Sequence, residues 1–358
     1  MSVIFNSYFA NFLSQRIAQW LQRMSDGLQD GRYRFCSKGS LVPENGRQGL
    51  VATCFAGKIA RNIGIWEKLP ISQREAITSF IKSFQDSDGF FRDPWVLQSL
   101  AKIKQSDEEI KQTIIAETRQ ALSFLLTVGS FPTHEIPLSY TEPEAMQQFI
   151  RALPWENPWA ACSHFSHQCF FLSARKQAGQ NVPQDIEQVL LDELFQHYHP
   201  DSGSWYSYEA PRPSTENEIN GMMKVFTGLA WLDGTAYERI NGQKAWDFAT
   251  DSISKNDSCS MLNQLYVLSE LKKNFHIQST KLIDTFCSKY ILRMLPYFHF
   301  REGAFSFFPK KSQITYYGAQ PSTGEACADL HGTVMQTWAI ALLFTLRNVR
   351  CAWTPQQV

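Results

Sequence analysis

The peptide Glu302-Gly303-Ala304-Phe305 is one copy of a short phrase that recurs along the chain: a helix-like run, a turn with an acidic residue and glycine, a nearby aromatic residue, and another helix-like run. The phrase also occurs as DGRY at 30–33, as DGFF at 88–91 and, directly after Asp201, as SGSW at 202–205. Repetition of one supersecondary unit is typical of solenoids and closed toroids. The sequence therefore predicts a helical repeat fold.

Twelve helices in six hairpins are predicted from the hydrophobic periodicity. The first helices of the pairs are expected at about 5–25, 72–85, 108–127, 184–198, 243–254 and 278–296, and the second helices at about 47–64, 94–104, 157–176, 217–232, 258–273 and 325–346. The second set is far less polar, as in GTVMQTWAIALLF at 332–344, and a helix that is apolar nearly all round is buried. We therefore expect one all-α domain over residues 1–358, a six-hairpin α/α toroid with inner and outer helix rings.

Two kinds of loop are expected to depart from this regular pattern. Short strands are expected at most in the aromatic loops, at Trp205–Tyr208 and Phe305–Phe308. Residues 129–156 form a long insertion that we expect to hold extra helix and to cover one mouth of the toroid. Loops of that length are usually functional or mobile.

The composition bounds the kind of partner that the protein binds. Lys and Arg together number 34, as do Asp and Glu, so the formal net charge is zero and no basic footprint for nucleic acid is present. The 26 Phe, 12 Tyr and 10 Trp predict an aromatic-lined cavity, because π faces suit sugar rings, isoprenoid chains and developing cations. We expect a small-molecule substrate, and the composition does not indicate an oligomeric state.

The sequence also indicates where the protein works. No secretory leader and no uninterrupted apolar stretch of about 18 residues is present, so we expect no transmembrane segment and a cytoplasmic location. The eight cysteines form no CxxC pair and are expected to be reduced thiols.

The first candidate site combines Asp257-Ser258-Cys259 with His331, because both segments begin helices of the apolar set. This pattern resembles the β subunit of the protein prenyltransferases, an α/α toroid in which an Asp-x-Cys and a later His hold zinc. The resemblance implies that Asp257, Cys259 and His331 are zinc ligands and that the metal activates a thiolate. Read without the resemblance, Asp257 is a helix N-cap, Cys259 a small buried residue and His331 a hydrogen-bonding partner of a loop.

A second candidate site is the loop from Tyr206 to Lys224 (YSYEAPRPSTENEINGMMK). It resembles the C-terminal α/α domain of glucuronyl C5-epimerases, which act on polysaccharides with Tyr and Glu as proton-transfer groups. The resemblance implies that Tyr208 and Glu216 form an acid–base pair. The alternative interpretation is a capping box followed by a solvated loop. Prenyltransferases bind the lipid diphosphate with a cluster of Arg, Lys and Tyr side chains. Arg212, Lys224 and Tyr208 resemble a smaller form of that cluster.

Two further motifs carry weaker signals. His164 and His167 lie three residues apart on one predicted helical face, either aimed into a cavity or satisfied at a helix rim. Asp86-Ser87-Asp88 resembles the Asp-x-Asp-Asp motif of class II terpene cyclases, but Gly89 stands at the fourth position. We interpret FQDSDGFF as a turn, similar to the repeat that staples the outer helices of those cyclases.

In a toroid the loops that enter the inner helices converge at one end, where helix N-termini offer unpaired N–H groups. We therefore expect an enzyme of the terpenoid cyclase and prenyltransferase class that acts on an isoprenoid or similar apolar substrate, with zinc as the one cofactor implied. The alternatives are a carbohydrate-active epimerase or lyase, and a toroid without catalytic activity that binds a peptide or partner. Asp329 is either catalytic or only the N-cap of the last helix. The candidate catalytic residues are Asp329, His331, Tyr208, Glu216 and His164, and the candidate substrate-binding residues are Trp159, Trp205, Arg212, Asn220, Lys224, Asn263 and Glu325.

Overall fold

The structure, a computed structural model, describes residues 6–25, 30–44, 47–232, 234–251, 258–277 and 280–356. Within these ranges the protein is mostly helical, which confirms the all-α class. The α-helices are α1 Ser7–Met24, α2 Leu50–Asn62, α3 Ile71–Lys82, α4 Pro94–Lys102, α5 Asp107–Thr127, α6 Pro143–Arg151, α7 Pro158–Gln177, α8 Ile186–Phe195, α9 Thr215–Leu229, α10 Gly242–Asp251, α11 Ser258–Phe275, α12 Thr280–Met294 and α13 Leu330–Leu346.

Each of the twelve predicted helices has a counterpart among these elements, and α6 lies inside the predicted insertion. The two sheets are antiparallel pairs of two-residue strands. Strand β1 (Tyr198–His199) pairs with β2 (Ser204–Trp205), and β3 (Phe298–His299) pairs with β4 (Ala304–Phe305). None of the described helices is both long enough and apolar enough to cross a membrane.

The glycines of the recurring phrase share one backbone conformation. Gly31, Gly89, Gly203 and Gly303 have φ between +68° and +87°, in the left-handed region that a side chain disfavours. A Cβ at Gly31 would also overlap the backbone of Ala76. The phrase therefore repeats because the same left-handed turn is needed at each of these positions.

Polar side chains cap the N-termini of several helices. The side chain of Asn157 caps α7, Ser214 caps α9, and Ser106 with Glu109 forms a capping box at α5. Asp93 has a double role, because Oδ1 accepts from the N–H of Trp95 in α4 while Oδ2 accepts from the N–H of Leu50 in α2 at 3.0 Å. One loop carboxylate thus anchors the starts of two helices.

The described residues divide into two compact units by their contacts. The first comprises residues 1–134, 256–262 and 280–358, and the second comprises 135–255 and 263–279, apart from those outside the described ranges. In the first unit α2 packs against α13 and α5. In the second α7 packs against α9, and α6 against α8. The expectation of one closed domain over the whole chain stays a prediction.

The prediction of which helices are buried is wrong for one pair. Residues 94–104 were expected to belong to the buried set and 108–127 to the outer set, yet α4 buries only Val96 and Leu100 while α5 is buried at most positions from Thr113 to Leu125. Helix α4 has nine residues and one narrow apolar stripe. Helix α5 is long enough to pack along α2, and its charged residues Glu117 and Arg119 concealed that packing in the sequence.

The segment FQDSDGFF forms a turn, as expected. Asp86 and Asp88 form ion pairs with Arg92 at 3.0 and 2.6 Å. The amide of Gln85 donates to the carbonyl of Gly89 and accepts from the N–H of His134 at 2.9 Å. The glutamine therefore fastens this turn to the end of the loop that follows α5.

Candidate functional site

The most distinctive site in the first unit surrounds His331, in the first turn of α13. The imidazole is 8% exposed and stacks on Phe55 and on Phe307, with ring centroids 4.8 Å away in both cases. Tyr316 packs edge-on against the same ring at 5.2 Å. We call His331, Phe55, Phe307, Tyr316 and the amide of Gln313 the His331 site.

The amide of Gln313 selects the tautomer of His331. Nδ1 of the imidazole lies 2.6 Å from Oε1 of Gln313, and a carbonyl oxygen only accepts hydrogen bonds. Nδ1 therefore carries the proton, and in the neutral ring Nε2 keeps the lone pair. A buried imidazole held in this way is suited to act as a base or as a metal ligand through Nε2.

Asp329 connects the loops around this site through hydrogen bonds to their backbone. Its side chain caps α13 by accepting from Gly332 at 2.7 Å and also accepts from the N–H groups of Phe307 at 2.8 Å and Gln313 at 3.2 Å. Burial raises the pKa of the carboxyl group to about 7, although these backbone hydrogen bonds act in the opposite direction. The structure thus gives Asp329 the capping role, and a catalytic role for Asp329 stays a prediction.

A second group of ionisable side chains is buried where α2 meets α5. Desolvation lowers the pKa of Lys58 to about 8 and raises that of Cys54 to about 12. It also raises the pKa of Glu117 well above its usual range, an effect to which the nearby Asp93 carboxyl adds. Lys58 donates to Gln120, while Oε1 of Glu117 has no hydrogen-bond partner among the described residues. Charged groups are rarely buried in this way unless they are paired or functional.

Tyr316 connects this cluster with the His331 site. The pKa of its phenol is raised well above the usual range, first by burial and then by nearby acidic groups that include Glu117, Cys54 and Cys259. Cys259 is partly exposed. Its neighbour Ser258 donates from Oγ to the carbonyl of Phe307 at 3.0 Å, and Phe307 stacks on His331. Cys259 and His331 therefore both lie near Tyr316.

Two of the three expected zinc ligands, Cys259 and His331, lie among the described residues. Thiolate and imidazole are ordinary zinc ligands. Asp257, the third expected ligand, lies outside the described residues. Among the residues that the structure does describe, no group of three or more His, Cys, Asp or Glu side chains is arranged to hold a metal ion.

The second unit contains the loop of the second sequence motif. Glu218, in the first turn of α9, is buried and accepts from Oγ of Ser204 at 2.6 Å and from Nε of Arg212 at 2.8 Å. Arg212 is more than half exposed and forms an ion pair with Glu218. Arg212 was a predicted site residue, whereas Glu218 was not. The predicted acid, Glu216, is partly exposed on the same helix turn.

Tyr208 lies on an aromatic stack at the surface of the second unit. The imidazole of His199 is sandwiched between Tyr206 at 3.5 Å and Tyr208 at 4.0 Å. The hydroxyl of Tyr208 donates to the carbonyl of Tyr198, and the side chain remains 63% exposed. We call Tyr206, His199 and Tyr208 the Tyr208 stack.

The other predicted residues of the second unit lie in different surroundings. Nδ2 of Asn263 donates to Oδ1 of Asn220 at 2.8 Å, so these two buried amides are brought together. Trp159 is 43% exposed, whereas Trp205 is fully buried in the core of the unit. His164 and Lys224 are partly exposed, and His167 is buried. In the first unit, Glu325 is exposed in the loop before α13.

The predicted catalytic and binding residues thus fall into both units. Asp329, His331, Cys259 and Glu325 belong to the first, and Tyr208, Glu216, His164, Trp159, Trp205, Arg212, Asn220, Lys224 and Asn263 belong to the second. The sequence matches no protein-family model and no curated protein, so the functional interpretation rests on the chain itself.

Sequence reasoning missed the groups that surround His331. The sequence offers one signal for the buried ionisable cluster, which is Lys58. It is the only charged residue in the otherwise uncharged run LVATCFAGKIA of α2. Gln313 and Tyr316 lie in an irregular loop whose sequence carries no periodic pattern, and only the tertiary fold brings them to the imidazole.

Proposed function

We propose that this protein is an enzyme of the α/α-toroid class that includes terpenoid cyclases and protein prenyltransferases, and that it acts on an isoprenoid or similar apolar substrate at the His331 site. The stack of aromatic rings on a hydrogen-bonded, buried imidazole carries the proposal. Aromatic faces attract a cation in a desolvated site by about 2 kcal/mol or more, and an apolar pocket with few polar groups is the usual form of a small-molecule site.

The toroid is part of the same proposal. Twelve helices lie at the predicted positions, and α2, α7, α9 and α13 of the apolar set are largely buried. Outside the pair α4 and α5, this alternation of polar and apolar helices supports six hairpins in two rings.

The chemistry assigned to each residue follows from its surroundings. His331, with its lone pair on Nε2, accepts a proton from the substrate or holds a metal. The rings of Phe55 and Phe307 shield the reacting group from water and stabilise positive charge. If zinc binds, Cys259 and His331 together with Asp257 would hold it, and it would supply Lewis acidity for activating a nucleophile.

Activity on isoprenoids tests this proposal directly. The purified protein is incubated with a panel of linear prenyl diphosphates and prenyl alkenes, and the products are identified by mass spectrometry. We expect turnover that falls at least about tenfold in Phe307→Leu, from the cation–π magnitude, and further in His331→Ala. His134→Ala, an exposed histidine of the same unit, is the control and retains activity. Binding without turnover, or turnover that His331→Ala leaves unchanged, would contradict the proposal.

Metal content is measured separately, by elemental mass spectrometry on wild type, Cys259→Ser and His331→Ala. About one zinc per chain, lost in both variants, is the result expected for a three-ligand catalytic site. Wild-type protein purified without chelators that holds no stoichiometric metal would remove zinc from the proposal and leave acid–base chemistry at His331.

A second candidate function is a carbohydrate-active epimerase or lyase, which the Tyr208 stack favours. An exposed tyrosine face beside the Arg212–Glu218 ion pair suits an acidic sugar ring. Binding of a uronate oligosaccharide that is lost in Tyr208→Ala, but kept in the exposed-tyrosine control Tyr8→Ala, would favour this function. Equal binding by both variants would exclude the stack as the sugar site.

A further inference from the structure

Two cysteines from opposite ends of the chain lie side by side in the first unit. Sγ of Cys36 is 3.0 Å from the carbonyl oxygen of Lys38, and Sγ of Cys327 is 3.5 Å from the same oxygen. Each thiol also shifts the pKa of the other, upward for Cys36 and downward for Cys327. Both are free and almost completely buried.

Backbone pairing holds the two cysteines together. Cys36 pairs antiparallel with Asp329, and the N–H of Ser37 donates to the carbonyl of Ala328 at 3.3 Å. Cys327 precedes Asp329 by two residues, so its side chain lies on the same face as that of Asp329. Residues diagonally opposite across an antiparallel pair are within reach of each other.

A positively charged cavity lies next to the thiols. Its volume is about 660 Å³, and its lining includes Lys38 together with Ser37 and Ala326, which are immediate chain neighbours of the two cysteines. Arg23, Arg34 and Arg301 add three further cations to this lining, of which Arg34 is paired with Glu44, and the one carboxylate in the lining is that of Glu302. Such surroundings attract anions.

The carboxylate of Glu302, in the lining of this cavity, accepts two hydrogen bonds. Its Oε2 accepts from Oγ of Ser37 at 2.6 Å and from the N–H of Ala328 at 3.1 Å, which disperses its charge. The neighbouring Cys36 lowers the pKa of the Cys327 thiol, while burial and the Glu302 carboxylate oppose this shift, and the pKa of Cys36 is raised by Cys327 and by burial. Cys327 therefore has the larger thiolate fraction and is the thiol that attacks first.

We propose that Cys36 and Cys327 form a redox-active dithiol that closes to a reversible intramolecular disulfide by exchange with an anionic low-molecular-weight disulfide. The thiolate of Cys327 attacks one sulfur of the small disulfide, and the other sulfur leaves as a thiolate that takes up a proton. Cys36 then loses its proton, attacks the sulfur of Cys327 and releases the second small thiol. Two electrons pass from the protein dithiol to the small disulfide, and the reverse exchange reduces the protein.

The first test is exchange with oxidised glutathione, followed by acid quenching and peptide mass mapping of the full-length protein. We expect a mass loss of about 2 Da, one cross-linked peptide that contains Cys36 and Cys327, and full reversal by dithiothreitol. Cys36→Ser should stop at a glutathionyl group on Cys327, whereas Cys327→Ser should leave Cys36 unmodified. Cys351→Ser, at a partly exposed cysteine, is the control and should behave as wild type.

The second test uses the charge of the cavity. Oxidised glutathione is anionic and cystamine is cationic, so glutathione should form the cross-link faster at equal concentration, by a factor that shrinks as salt is added. Two reduced cysteines at 36 and 327 under conditions that modify Cys351 would overturn the dithiol. Equal rates with the two reagents, or a faster reaction with cystamine, would overturn entry of the anion through the cavity.

Discussion

At the scale of single residues, the carboxyl group of Asp329 couples the architecture around His331 to pH. Its pKa of about 7 in the folded protein lies above the ordinary value of 3.8, because burial disfavours the charge. The folded state therefore binds this proton more tightly than the unfolded state does. The resulting stability is complete below pH 4 and is lost as the pH rises through 7.

The Asp329→Asn variant tests this coupling, because its amide stays neutral. We expect the free energy of unfolding of wild type, relative to that of the variant, to fall as the pH rises from about 4 to 7 and then to level off. Urea unfolding at a series of pH values measures the difference. A difference that is constant with pH would show that the carboxyl group titrates normally.

The orientation of the His331 imidazole depends on one neighbouring side chain, that of Gln313. Gln313→Leu removes the acceptor of Nδ1–H, and Gln313→Glu keeps an acceptor at nearly the same place. We expect the leucine variant to lose about tenfold or more in turnover of the proposed substrate, the usual cost of an outer-shell partner, and the glutamate variant to retain most of it. Two-dimensional NMR of the imidazole nitrogens reports the tautomer. Loss of the Nδ1–H form in the leucine variant alone is the expected signature.

At the scale of elements, the contact between α2 and α5 depends on a glycine. A Cβ at Gly57 would overlap the ring of Phe124. Gly57→Ala should therefore destabilise the protein by about 1–3 kcal/mol, although alanine favours helix formation.

A second substitution separates packing from helix propensity. In the double variant Gly57→Ala with Phe124→Leu, the smaller side chain should recover part of the loss. Thermal unfolding of the two single variants and the double variant measures the coupling. Strict additivity would argue against a steric cause.

The elements were also the part of the fold that the sequence predicted best. Helix positions follow from local periodicity, and the recurring glycine turns follow from one backbone conformation, so both are visible in a single sequence. The assignment of α4 and α5 failed because burial depends on what packs against a helix. The same limit applies to the site: His331 and Cys259 were found from their positions at helix starts, whereas Glu117 and Tyr316 reach them only through tertiary structure.

At the scale of the whole molecule, the first unit is built from both ends of the chain. Trp353 is 6% exposed, and its Nε1 donates to the carbonyl of Ala10 at 3.1 Å and to Oγ of Ser14 at 2.8 Å. The N–H of Thr354 donates to the carbonyl of Asn62 at 3.0 Å. The C-terminal segment therefore closes over α1 and the end of α2.

Trp353→Ala tests the importance of this closure. We expect a loss of about 3–5 kcal/mol, the usual cost of truncating a buried tryptophan. Trp159→Ala, at a half-exposed tryptophan of the second unit, should cost far less. Equal losses in chemical denaturation would show that the C-terminal segment contributes little to the first unit.

The division of the first unit between the two ends of the chain has a consequence for synthesis on the ribosome. Residues 6–134 emerge first, but the hydrogen bond from Leu330 to Phe35 and the contacts of Trp353 require the last residues of the chain. At ordinary translation rates the early helices wait on the order of ten seconds or more for these partners, while the second unit, emerging in between, has most of its residues together. During that interval the face of α2 that packs against α13 stays uncovered, so the nascent chain is exposed to aggregation and to chaperone binding until residues 330–346 have emerged.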